Sequence, residues 1–160
     1  MTPVAGLLAL AALLLAGAGA TKLARPHTTA NALGLPVWAV RAGAALELAI
    51  GLTALATGGR VAAALVAVSY TGVTMFVAWA LWRHRPLATC ACFGEPDSPP
   101  TALHLIIDLG LALIAGAAAI KGGGRPLTDI GPAGAVGVVV GAYVTFLSVT
   151  ALPRVRAMAK

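Results

Sequence analysis

Five long apolar runs constrain this chain more than any other feature. They are Pro3–Ala20, Val37–Ala56, Val61–Trp82, Thr101–Ile120 and Pro132–Ala151. At 1.5 Å of rise per residue, each is long enough to cross a hydrocarbon core of roughly 30 Å. Lipid offers no hydrogen bonds to the backbone, so the runs should be helices. The alternating apolar–polar pattern of a membrane barrel is absent. Breaks fall at Leu35-Pro36, Gly58-Gly59, Arg85-Pro86, Pro99-Pro100, Gly122-Gly123-Gly124 and Gly131-Pro132. Pro36, Pro100 and Pro132 stand where a helix would begin and where a missing N–H costs little. Composition agrees, with 59% hydrophobic and 10% charged residues among 160. A soluble domain carries roughly 25% charge. The expected fold is all-α, a polytopic transmembrane helix bundle with a four-helix core over 1–125. The fifth C-terminal helix and a basic tail fill 126–160.

The net charge of +6 is what basic residues flanking membrane spans produce. With no basic groove or interleaved aromatics, it calls for no nucleic acid; the expected surroundings are membrane lipid. Lys22, Arg25, Arg83, Arg85, Arg154, Arg156 and Lys160 fall on one side, and Arg60, Lys121 and Arg125 on the other. Seven against three places the 21–36 and 83–100 loops and the C-terminus in the cytoplasm. The first run lacks a basic start, which favours a retained helix, although the small residues of Ala16–Ala20 would also suit a signal peptidase.

Three charged residues lie inside the runs: Arg41, Glu47 and Asp108. A charge facing lipid is costly, so each should face the bundle or a wet cavity. His104 lies one turn before Asp108 on the same helix face. Counting from the run starts, His104 sits about 4–5 Å, Arg41 about 6 Å, Asp108 about 10 Å and Glu47 about 15 Å below one surface. The loop holding both cysteines leaves from that surface, so one polar site in one half of the membrane is expected. An ion network in which Arg41 pairs with Glu47 or Asp108, purely to hold helices together, would use the same residues. Gly43 and Gly51 flank Glu47 at a spacing that reads as generic close packing. Gly122-Gly123-Gly124 reads as a flexible turn.

Cys90 and Cys92 are the only cysteines. A disulfide between them would close a very small ring, which is strained, easily reduced and of little value as a staple. A redox pair fits that description, and Arg83, His84 and Arg85 upstream would favour thiolates. Two alternatives stay open. The thiols could be inert small hydrophobes, or Cys90, Cys92 and His84 (or Met75) could bind copper(I). A closed zinc site of four thiolates is excluded within one chain. No resident cofactor is called for. Quinone and copper are the open candidates, and no quinone pocket is readable from the sequence.

The segment Cys90-Ala91-Cys92-Phe93-Gly94 resembles the Cys-x-Cys-Phe-Gly signature of the methylamine utilisation protein MauE family, small bacterial integral membrane proteins. Lys22 at the end of the first run, Asn31-Ala32-Leu33-Gly34-Leu35-Pro36 before the second, and Glu47 with Gly51 within it are similar to that family's pattern, in its order. The resemblance covers roughly residues 4–120. It departs at Ile107-Asp108, where the family often has Arg before Asn or Asp. It leaves the fifth helix as an addition to the usual four.

The resemblance implies a protein of the bacterial cytoplasmic membrane that exchanges disulfides through Cys90 and Cys92. A thioredoxin-like protein and a disulfide-containing client would be its partners, the client by family the disulfide-rich small subunit of methylamine dehydrogenase. Glu47, His104, Asp108 and Arg41 would form the supporting polar cluster. A second copy of the chain is a further candidate partner. That role prefers the Cys loop outside the cytoplasm or buried within reach of both sides, against the charge count. Copper or small-solute handling, and a non-catalytic assembly role, are the other classes the residues allow.

Overall fold

The structure is a computed structural model that describes residues 3–82 and 102–158. Its helices are α1 (Pro3–Ala24), α2 (Pro26–Leu33), α3 (Val37–Thr57), α4 (Arg60–Trp82), α5 (Ala102–Ile120) and α6 (Pro132–Met158), with a short 3₁₀ turn at Leu127–Ile130 before α6. Four of them, α1, α3, α4 and α5, are long and apolar enough to cross a membrane, and α6 carries a shorter apolar stretch, Pro132–Ser148. The fold is an all-α helical bundle, as the apolar runs require.

Helix α1 is the hub. It packs chiefly along α3 and also touches α4, α5 and α6, while α4 pairs with α5. The core is built from small side chains: Ala11, Ala12 and Ala18 of α1, Ala54 of α3, Ala63 of α4, and Ala115 and Ala118 of α5, with Leu8, Leu15 and Val66 filling between them. Large apolar side chains point outward instead, among them Leu46, Val61, Val68, Leu113 and Ile120. In water this inside-out distribution would be an aggregation hazard. In lipid, helices gain nothing by hiding leucine from an equally apolar solvent. They associate where small residues let backbones approach.

The α1–α3 contact is the closest of these. A Cβ added at Gly19 would stand 2.6 Å from the Ala44 carbonyl oxygen, and one at Gly51 would stand 2.7 Å from that of Ala12. Gly43 faces open space. The spacing Gly43–Glu47–Gly51 is therefore half generic and half specific, because only Gly51 lies in the antiparallel interface.

The stretch before α3 is more ordered than a loop. Pro26 stands in the first turn of α2, and Gly34 closes that helix in the left-handed conformation, φ 65°. The Gly34 N–H and the Leu35 N–H, the latter at 3.0 Å, both donate back to the Ala30 carbonyl and close the helix end. Helix α2 rests against α3, with Thr29 and Ala30 buried.

At the opposite end the glycine-rich turn forms a backbone clasp. Gly124 N–H donates to the Gly58 carbonyl, and Gly59 and Gly123 form an antiparallel bridge. Gly58 has φ +63°, and a Cβ there would run into the Arg125 and Pro126 backbone. These glycines pin the α3–α4 turn to the turn after α5, so the run of glycines supplies close approach. Gly58→Ala is expected to cost about 2 kcal/mol or more, since a left-handed alanine is strained even before the collision. Gly59→Ala, with open space around it, should be close to neutral. Thermal unfolding of the two variants in detergent checks the contrast.

Candidate functional site

Helices α1 and α4 end, and α3 and α5 begin, at the end of the bundle where Trp38 and Trp82 are exposed. Tryptophans of this kind sit at membrane–water interfaces. Helical side chains lean toward the N-terminus of their own helix. Lys22, near the end of α1, therefore leans into the bundle, and Glu47, ten residues into antiparallel α3, leans back toward the surface. The close approach at Gly19 and Gly51 lets them meet. Lys22 Nζ donates to both carboxylate oxygens of Glu47 at 2.7 Å. Their side chains are only 11% and 20% exposed.

Two cavities share this pair. The larger, of about 220 Å³, runs between α1, α3, α4 and the end of α2. Its walls are Leu33, Gly72 and Val73, its rim is Leu35 and Phe76, and its polar floor is Lys22 and Glu47. The smaller, of about 10 Å³, lies between Lys22, Glu47, Tyr70 and Asp108. That is close to the space one water molecule needs. Tyr70 donates its hydroxyl to the Ala11 carbonyl at 2.9 Å, which ties α4 to α1 beneath the site.

Four helices thus bring Lys22, Glu47, Tyr70 and Asp108 together. His104, buried like Asp108, stands one turn nearer the surface on α5. Of the residues singled out from the sequence, Glu47 and Asp108 converge. Arg41 does not join them. It is exposed on α3 and makes no ion pair among the described residues, because Glu47 already has its cation in α1. Met75 is exposed on α4. Cys90, Cys92, Arg83, His84 and Arg85 lie outside the described residues, between the ends of α4 and α5. Among the described residues no three His, Cys, Asp or Glu side chains gather as a metal site. Lys22 is the residue that sequence reasoning placed but did not use. A solitary lysine closing one apolar run, opposite a solitary glutamate within the next, was the available signal.

An alanine-rich core, large apolar side chains on the exterior and an ion pair between two spans define a multi-pass helical membrane protein. The chain belongs to the methylamine utilisation protein MauE family, whose model matches residues 2–121. The match contains Lys22, Glu47, Asp108 and both cysteines, and it ends where α5 ends, leaving α6 beyond it. No curated protein and no solved structure matches the chain.

Proposed function

We propose that this protein is a thiol–disulfide exchange partner in the bacterial cytoplasmic membrane, with Cys90 and Cys92 as its redox pair. By family, its task is the maturation of a disulfide-containing client in methylamine utilisation. One observation carries the reading: the only two cysteines of the chain are separated by a single residue, inside the segment matched by the family. Their placement supports it. They stand between α4 and α5, two of the helices that build the polar cluster, and the segment leaves from the end where that cluster lies.

In the oxidising direction a client thiolate attacks one sulfur of the Cys90–Cys92 disulfide, and a mixed disulfide forms. A second client thiolate then attacks the client's own sulfur in that bond. The client gains one disulfide, and Cys90 and Cys92 are left as two thiols, a transfer of two electrons and two protons. Arg83, His84 and Arg85 would hold the leaving thiolate. Glu47, His104 and Asp108 would exchange the protons. A thioredoxin-like protein in its disulfide form could restore the pair by the same two steps.

The test is the redox state of the pair in intact cells. A membrane-impermeant maleimide is expected to label the protein only after mild reductant, a result that puts the 83–100 loop outside the cytoplasm, as the redox role prefers, and overturns the placement by charge count. Cys90→Ala/Cys92→Ala is expected to leave the bundle folded and to abolish client oxidation. Labelling without reductant, or a client whose redox state is unchanged in the double variant, overturns the reading.

A further inference from the structure

Two thiols that become a disulfide must deliver two electrons and two protons elsewhere, and this chain has no second cysteine pair to receive them. The larger cavity has the properties of a site for such an acceptor. Five of its seven lining residues stand on the span-length helices α1, α3 and α4, its walls are apolar, and its rim residues Leu35 and Phe76 are exposed. Its volume, about 220 Å³, is below the roughly 300–1,000 Å³ of pockets for drug-sized molecules. It suits one substituted ring.

The polar floor narrows the chemistry further. Lys22 and Glu47 together carry no net charge, so the floor has no preference for an anion or a cation. An ammonium group has three hydrogens. Two go to Glu47, which leaves one N–H, on a nine-tenths buried lysine, to donate to a neutral acceptor such as a carbonyl oxygen. Phe76 at the rim offers a face against which a flat ring can pack.

We propose that this cavity binds the ring of a lipid-soluble quinone, with Lys22 donating to one ring carbonyl. As the acceptor for the cysteine pair, which rests on the redox reading above, the quinone takes two electrons and two protons from the Cys90 and Cys92 thiols. The S–S bond forms, both S–H bonds break, and the two carbonyl oxygens become the hydroxyls of the quinol. The Lys22–Glu47 pair stands at one of those oxygens and is placed to exchange its proton.

Gly72 makes the inference testable without disturbing the fold. It lines the cavity, yet a Cβ built on it meets nothing within 4 Å. Gly72→Leu should therefore fill the space and leave the helices where they are. The probe is decylubiquinone, titrated by calorimetry into the full-length protein in detergent, with decanol as the tail-only control. Saturable binding is expected, weakened at least tenfold by Gly72→Leu with an unchanged melting temperature, and unaffected by Cys90→Ala/Cys92→Ala. Absent saturable binding, a Gly72→Leu isotherm equal to that of the parent, or decanol binding as tightly, overturns the site. In a single turnover, the reduced protein and the quinone should give one quinol per disulfide. Normal binding without that oxidation leaves the quinone site standing and removes the redox reading instead.

Discussion

Glu47→Ala should be among the most damaging single substitutions in this protein, with an expected loss of about 3–5 kcal/mol. It strands the Lys22 ammonium, nine-tenths buried at the floor of the larger cavity, and breaking one partner of a buried pair carries a penalty of that order. Lys22→Met should cost a similar amount by stranding the carboxylate. The pair itself is worth much less than either number. Its mutual attraction largely offsets the cost of removing two charges from water, so Lys22→Met/Glu47→Leu, which removes both, should recover most of the loss. Glu47→Gln should fall between, keeping an acceptor oxygen for Lys22 while losing the charge. Equilibrium unfolding in mixed micelles, run as a double-mutant cycle, measures the difference. Additivity within about 0.5 kcal/mol would mean that the two side chains act independently, contrary to the 2.7 Å geometry.

This pair also marks the boundary of what the residues disclose before the fold is known. Span lengths and their Gly and Pro breaks follow from the thickness of a bilayer and the rise of a helix, so α1, α3, α4 and α5 are legible to within a few residues. Glu47 and Asp108 are legible as inward-facing because a charge cannot face lipid cheaply, but the same rule turns Arg41 inward, and it is exposed, one turn from Trp38 at the interfacial end of α3. Which cation meets Glu47 is a different question. It depends on the register between α1 and α3, and two helices made mostly of Ala, Leu and Gly contain no hydrophobic stripe to set one. Arg41, on the same helix as Glu47, looks the nearer candidate in sequence; Lys22 is the nearer one in space. Helix α2 was hidden for a related reason. Eight residues with a polar composition carry little periodicity, and its order comes from the proline at its start, the left-handed Gly34 at its end and its seat on α3. The clasp between Gly58 and Gly124 pairs turns more than sixty residues apart, which local turn chemistry cannot reveal.

The register rests on Gly19 and Gly51, and the second large effect follows from them. Gly51→Leu is expected to abolish stable folding or to cost more than about 3 kcal/mol, and Gly51→Ala to cost about 1–3 kcal/mol. The obstacle is backbone, namely the Ala12 carbonyl oxygen and the Ala16 amide nitrogen, each 2.7 Å from an added Cβ. A neighbouring side chain could rotate away; a helical backbone has to translate. Gly19→Ala meets the same barrier from the other helix, at the Ala44 carbonyl and the Leu48 nitrogen. Gly43→Ala supplies the control. It is exposed with open space around it, so the better helix propensity of alanine should leave it neutral or slightly stabilised. Equal losses at Gly43 and Gly51 in the same unfolding assay would refute the close-packing account. Because Gly51 and Glu47 serve one interface, their effects should also be coupled. Once Gly51→Ala, which stays folded, has pushed α1 from α3, Lys22 no longer reaches Glu47 as closely. The added cost of Glu47→Ala should then shrink well below its value in the parent protein.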